Sequence, residues 1–417
     1  MSDDADRARD GAGDPATPVD AASTSDKARG KRRGKGRKRH TVAKVVLASL
    51  VVLGITTGLA VVFIYRHLND NLTVVDVSNQ LSNRPEKNGS DLPKVPLNIL
   101  VMGSDTREGE GNNIDGLTGG GERSDTTIMF HLSADREFAY GVSIPRDSLV
   151  DRPDCKTKDG ETIPGATDAM WNEAFALGGP ACTIQQFEQL TDVFIDNYVV
   201  LDFTGFQDMV DAIDGVEVCI PEDISDQAHG INIPAGTREV EGKEALNYVR
   251  ARYTLGDGSD IGRIKRQQAF IAAMANKVVS GGTLARLDRL VGFLNAATNS
   301  LQTDLEGVLQ VGRVGIGFKN IGLDNIKFIT VPFEYETREE YAGRVSWLPE
   351  AEQVWQRVID DEPLTRRLQD DVITAGDDLD GSSSPSDAES SAPPSSASPE
   401  QPDEESSAAR EAAGLCA

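Results

Sequence analysis

Three nearly continuous apolar runs frame the folded part of the chain: LNILVMG (97–103), TTIMFHL (126–132) and FAYGVSI (138–144). Short runs of this kind, rich in β-branched and aromatic residues, predict strands covered on both faces. Periodic patterns then predict helices over DAMWNEAFALGG (168–179) and PACTIQQFEQLT (180–191), a strand over 195–203, a helix over 206–213 and a strand over 216–220. Two or three helices are expected between 241 and 318, a strand over 326–331 and a helix near 349–360. Strands alternating with helices predict the α/β class, an α-β-α sandwich with helices on both faces of the sheet.

A different pattern precedes these elements. Residues 45–65 read VVLASLVVLGITTGLAVVFIY without a charge, and roughly 20 apolar residues cross a bilayer as a helix. A cleaved signal peptide has a shorter apolar region of about 7–15 residues ending in small residues, whereas this one runs into FIYRHL. The span is therefore read as a transmembrane helix. The run KARGKRRGKGRKRH (27–40), with nine Lys or Arg, could by itself be a nucleic-acid, nuclear-targeting or membrane-surface patch. Directly before a span it is a topology signal that places the N-terminus in the cytoplasm and the rest outside. No nucleic-acid partner is expected.

The remaining boundaries follow from composition. Residues 1–26 have almost no large apolar side chains, and 1–44 as a whole predict a disordered basic cytoplasmic tail. Residues 66–96, with Pro85, Pro93 and Pro96, predict a juxtamembrane stalk, and 97–365 an extracytoplasmic domain. Residues 366–417, rich in Ser, Pro, Asp and Glu, predict a disordered acidic tail. The net charge of −25 thus describes no single region. One disulfide is expected among Cys155, Cys182 and Cys219, with Cys155–Cys182 preferred, while Cys416 lies in the tail. Scattered His residues and the lack of CxxC argue against structural zinc.

Charged pairs with one intervening residue stand at the ends of apolar runs: Asp105 and Arg107, Arg123 and Asp125, Arg250 and Arg252. Side chains two apart in extended chain point the same way. Arg146 and Asp147 follow the third strand, and ligands of α/β sheets gather at strand carboxyl ends. In SDIGRIKRQQ, Asp260, Arg263 and Gln267 share one helix face. Each pair alone reads as ordinary surface chemistry, with Asp260 a cap and Arg263 and Arg266 in surface ion pairs. Arg123, Arg146, Arg250, Arg252 and Arg263 together would repel one another unless they held an anion, and the planar guanidinium suits phosphate. Asp105 and Asp125 are hard oxygen ligands suited to Mg²⁺ on a phosphorylated substrate, with Mn²⁺ an acceptable substitute. Walker, GxSxG and HExxH motifs are missing.

GSDTR, RSDT, SIPRDS, NEAF, IDNYVVLDFTGFQDMVDAIDGVEV and ALNYVRARYTLGDGSDIGRIKRQQ together resemble the LytR-CpsA-Psr family of cell-wall glycopolymer ligases over roughly residues 97–277. The resemblance implies a central mixed sheet and transfer of a glycopolymer from undecaprenyl diphosphate to peptidoglycan, usually at the C6 hydroxyl of N-acetylmuramic acid. It further implies that Asp105 and Asp125 hold the metal, and that Arg123, Arg146, Arg250, Arg252, Arg263 and Gln267 bind the diphosphate. Asp260 would orient arginines or deprotonate the acceptor, with Arg250 and Arg252 acting beside it in catalysis. Phe203, Phe206, Val210 and Ile213 are candidates for a lipid slot, against ordinary core. The Gly-rich stretch TREGEGNNIDGLTGGGE (106–122) is longer than the family pattern. PDC, GGPAC and VEVC resemble actinobacterial members, for which arabinogalactan is a plausible donor glycan. A polyprenyl diphosphate hydrolase and a non-catalytic envelope regulator are the rival readings.

Overall fold

The computed structural model describes residues 39–87, 94–105, 124–226, 231–251, 260–279, 286–368, 372–376 and 415–416. The chain divides into two units, residues 1–60 and 61–417. The first contributes most of one helix, α1 (Arg39–Asn71). Thr41–Asn71 is long and apolar enough to cross a membrane. Its large side chains, from Val45 to Phe63, are exposed on every side, which suits a lipid environment rather than a protein core.

The second unit is built on a mixed sheet of β1 (Thr73–Val74), β2 (Leu97–Ser104), β3 (Ser124–Leu132), β4 (Ala139–Ile144), β5 (Asn197–Leu201), β6 (Leu301–Thr303), β7 (Ile326–Thr330) and β8 (Ile373–Thr374). Their spatial order is β1-β6-β5-β2-β3-β4-β7-β8. β2, β3 and β4 form an antiparallel meander, while β5 and β7 join it in parallel. The helices are α2 (Glu173–Thr191), α3 (Phe203–Ala212), α4 (Gly242–Arg250), α5 (Asp260–Val279), α6 (Leu287–Ser300), α7 (Val308–Ile321) and α8 (Glu350–Ile359).

Strand alternation explains why the runs are apolar throughout. Leu100, Met102, Met129, Tyr140, Val142 and Tyr198 pack on one face with Trp171 and Phe187 of the α2 region and Trp355 of α8. The intervening Val101, Ile128, Phe130 and Val199 face a cavity on the other side.

Several sequence expectations change. The first predicted helix begins at Glu173, because residues Ala166–Met170 form a strand antiparallel to Leu149–Arg152. The helix then continues to Thr191 through a break at Gly179 (φ 64°, ψ −151°), where Pro180 follows and cannot complete the hydrogen-bond ladder. Among the described residues four helices, not two or three, lie between Gly242 and Ile321.

The stalk of 66–96 is no free spacer in its described part. Leu68, Leu72 and Val77 are buried, the Tyr198 hydroxyl donates to the Val75 carbonyl at 2.8 Å, and Arg84 pairs with buried Glu188 at 2.6 Å. A few apolar residues spaced through a polar stretch suffice to dock it. The acidic tail is likewise anchored at its described points. β8 extends the sheet beside β7, Leu415 is buried with Ala269 and Phe328, and Cys416 is bonded to Cys219. The expectation of a tail with nothing to pack overlooked these few residues among many polar ones. Cys155–Cys182 is the second disulfide, as preferred.

Candidate functional site

The charged cluster begins at a β-bulge. β2 and β3 pair Gly103 with Thr126 and Ser104 with Ser124, so the register shifts and Asp125 is the extra residue. A bulge re-aims the side chain at the extra position. Gly103 permits the close approach, since a Cβ there would stand 3.3 Å from Thr126 Cβ. Asp105 follows β2 at this same end of the sheet and is half-buried.

The loop after β4 supplies Arg146. Its Nη1 lies 2.6 Å from Asp125 Oδ1, and its Nε lies 3.4 Å from Asp260 Oδ1 and 3.5 Å from Asp147 Oδ2. Burial works against the Arg146 charge, but Asp125, Asp260 and Asp147 outweigh it and raise its pKa above the ordinary arginine value. Arg344 Nη1 holds Asp147 from the far side at 2.9 Å.

The first two turns of α5 complete the arrangement. Asp260 heads the helix, where a carboxylate is favoured by the exposed N–H groups, and its Oδ1 is 2.8 Å from Arg263 Nη2. Arg263 Nη2 also approaches the Asp125 carbonyl at 3.4 Å. One turn on, Gln267 Oε1 accepts from the Thr126 hydroxyl at 3.1 Å while its Nε2 donates to the Val249 carbonyl at 3.2 Å. Gln267 thereby ties β3 to α4. Arg250 ends α4, and its guanidinium lies 4.6 Å from the Phe203 ring centroid, a cation–π distance.

Part of this cluster borders a cavity of about 530 Å³. Its walls are Val101, Ile128, Phe130 and Val199 of the sheet, with Phe203, Phe206 and Met209 of α3 and Phe270, Ile271 and Met274 of α5. Asp125, Arg250, Arg263 and Gln267 line it as well. A deep apolar slot bordered by cations and hydrogen-bonding groups fits a ligand with a hydrocarbon tail and an anionic head.

The structure brings together Asp125, Arg146, Arg250, Asp260, Arg263 and Gln267. Arg107, Arg123, Arg252 and the Gly-rich stretch lie outside the described residues. Phe203 and Phe206 line the cavity, but Val210 and Ile213 do not. Both are fully buried among Val216, Val218 and Val240, in the core that backs the cavity wall, because α3 and its C-terminal end turn them toward the paired strands Val216–Ile220 and Gly236–Val240. That part of the proposed lipid slot is corrected to ordinary core.

Arg266 is no surface residue either. It is fully buried, and its Nη2 donates to the Ala251 carbonyl, which ties the end of α4 to α5. Sequence reasoning also missed Thr126, Arg344 and Asn247, the last of which lines the cavity from α4. Thr126 follows Asp125 directly and could have been read from the bulge. Arg344 is too distant in sequence to have been linked to Asp147.

Asp105, just past β2, and Asp125 of β3 stand at one end of the sheet. Two carboxylates are the protein share of a typical Mg²⁺ site whose other positions go to phosphate and water oxygens, so this donor set fits the ion. Among the described residues no group of three or more His, Cys, Asp or Glu side chains suited to a metal occurs.

The sequence profile of the LytR_cpsA_psr family matches residues 64–358. The chain is 32% identical over 258 residues to cell wall biosynthesis protein LcpA of Corynebacterium glutamicum, a match covering 56% of this chain and 49% of LcpA. It thus spans about half of that relative's length. It is 28% identical over 261 residues to regulatory protein MsrR of Staphylococcus aureus, covering 62% of this chain and 70% of MsrR. In fold it resembles the crystal structure of protein gbs0355 from Streptococcus agalactiae, with a TM-score of 0.52 and 22% identity over 65% of this chain and 90% of the other. The profile match runs from the end of α1 through the sheet, the charged cluster and most of α8, and the chain belongs to the LytR_cpsA_psr family.

Proposed function

We propose that the chain is a membrane-anchored phosphotransferase that moves a glycopolymer from a polyprenyl diphosphate carrier, undecaprenyl in the simplest case, onto peptidoglycan. The observation that carries this reading is the joining of an apolar cavity of about 530 Å³ to the Arg250, Arg263 and Gln267 rim. A protein that only sensed a small anion would need no such slot, and the cell-wall role in LcpA's name points the same way. The regulatory name of MsrR supports the rival reading of a non-catalytic envelope regulator.

In the proposed reaction the acceptor hydroxyl, taken as the C6 hydroxyl of N-acetylmuramic acid, attacks the sugar-proximal phosphorus. The bond from that phosphorus to the bridging oxygen breaks, and polyprenyl phosphate leaves with the bridging oxygen. Arg146, Arg250 and Arg263 bind the non-bridging oxygens and counter the charge that builds on the leaving oxygen, where positioning and electrostatics dominate the barrier. Asp260 holds Arg146 and Arg263 in place or takes the acceptor proton. Gln267 fixes the spacing of β3 and α4 across the head group. Arg123 and Arg252 would add to the anion site. Mg²⁺ held by Asp105 and Asp125 would neutralise diphosphate charge. The catalytic domain would face outward, with the basic segment before α1 in the cytoplasm.

The test is polyprenyl phosphate release from a synthetic lipid diphosphate sugar by the detergent-solubilised full chain, with a peptidoglycan oligomer present or omitted. Sugar phosphate on the oligomer, dependent on Mg²⁺, is the expected outcome. Release without transfer would replace the ligase with a hydrolase. Tight lipid binding without turnover would leave a regulator.

A further inference from the structure

One face of α7 (Val308–Ile321) is apolar, basic and exposed. Leu309 and Ile316 are 60% and 58% exposed. At a spacing of seven they lie on one side of the helix, between exposed Arg313 and exposed Lys319. Val308, Gly317 and Ile321 of the same helix are buried. α7 contains no Asp or Glu, although the whole chain carries a net charge of −25.

The start of α7 sits against the end of α1. A Cβ on Gly307 would stand 2.4 Å from Asn69 Oδ1, and Asn71 bonds Asn295 of α6 at 3.2 Å. The apolar stretch of α1 ends at Tyr65, so Asn69 lies about 6 Å of helix rise beyond it. The head-group layer on each side of a bilayer is roughly 5–7 Å deep. Gly307 therefore falls at head-group depth if Tyr65 marks the hydrocarbon boundary.

We propose that this face of α7 rests on the anionic lipid surface that α1 enters, with Leu309 and Ile316 dipping into it and Arg313 and Lys319 on the head groups. The inference depends on reading α1 as a membrane anchor and is independent of the reaction. Apolar residues at the centre of a face with cations at its edges are the pattern of an interfacial helix. Anionic lipid also complements a helix that carries Arg313 and Lys319 and no acidic side chain. A docked α7 would hold the domain in one orientation above the carrier lipid.

The full chain, placed in nanodiscs containing phosphatidylglycerol, tests this with an environment-sensitive fluorophore on Ile316→Cys and nitroxide-bearing lipids as quenchers. The four native cysteines are all disulfide-bonded, so labelling is specific. Leu53→Cys within α1 and Lys158→Cys in an exposed loop are the controls. Quenching at Ile316 at least about threefold above that at Lys158, lost when Arg313→Glu and Lys319→Glu are added, is expected. Quenching at Leu53 but not at Ile316 overturns the docking. No quenching at Leu53 overturns the anchor itself, and the docking with it. Shielding of Ile316 from aqueous iodide without lipid quenching assigns the face to a second copy of the chain and likewise overturns the proposal.

Discussion

Arg146 Nη1 lies 2.6 Å from Asp125 Oδ1, a pair that links the loop after β4 to the bulged residue of β3. Both side chains keep partial solvent contact, so the pair adds little to stability while it holds two groups of the proposed diphosphate site. Arg146→Ala is expected to reduce polyprenyl phosphate release by about 100- to 1,000-fold, the range for removing a donor aimed at developing charge. Arg146→Lys should recover only part of this, because an ammonium cannot bridge two oxygens in the plane of a guanidinium. Steady-state release and a circular-dichroism melt check both. An unchanged rate in Arg146→Ala would remove this residue from the site.

Arg250 gives a second test. It ends α4 against the Phe203 ring and packs no core of its own. Arg250→Ala should abolish turnover and leave the melting curve in place, and Arg252→Ala should do the same. Full turnover in both variants would sink the proposed anion site.

The cavity and the neighbouring core separate two kinds of apolar residue on or beside α3. Val199 faces the cavity from β5. Val199→Trp should raise KM for long-chain polyprenyl donors while leaving short-chain donors nearly unaffected. Ile213, fully buried beside Val216, should behave as core: Ile213→Ala is expected to cost about 2–5 kcal/mol of stability with no change in chain-length preference. Denaturant melts and donor-length series on the two variants distinguish these outcomes.

That distinction marks how far the sequence could be read. Buried strands such as 97–103 declare themselves, because both faces are covered and the run is apolar throughout. The charged residues at their ends were visible for the same reason: they interrupt the run at the site end of the sheet. Which apolar residue of a helix faces a cavity and which faces core depends on the neighbours, and Phe206 and Val210 are not separable by pattern alone. Docking of the 66–96 segment and of the C-terminus rests on a handful of residues, Val77, Leu415 and Cys416 among them. Their partners are remote in sequence and carry no local signal.

The cysteines provide a covalent check on that docking. A non-reducing peptide map should show Cys155 joined to Cys182 and Cys219 joined to Cys416. Any other pairing would displace the described C-terminus from its place beside α5. Loss of the Cys155–Cys182 bridge through Cys182→Ser is expected to destabilise the domain by about 2–5 kcal/mol, measured as a lower denaturation midpoint that reducing agent no longer shifts at this bridge.

Asp304 supplies the pH dependence whose sign is fixed by its surroundings. Half-buried beside β5, it accepts from the Tyr198 N–H at 3.0 Å and from the Asn197 amide at 3.2 Å. Burial raises its pKa above the ordinary 3.8, and these hydrogen bonds offset that only in part. A carboxyl whose folded pKa is raised binds its proton more tightly in the folded state. Its contribution to stability is therefore fully present below about 3.8 and is lost as pH rises through the folded value. Asp304→Asn keeps a carbonyl oxygen for the Tyr198 N–H and removes the buried charge. The variant should melt higher than the parent at pH 7, and the gap should close as pH falls below the ordinary carboxylate range. Thermal melts of both proteins across that range decide the matter. A variant less stable at pH 7 would mean that the charge strengthens the two hydrogen bonds by more than burial costs.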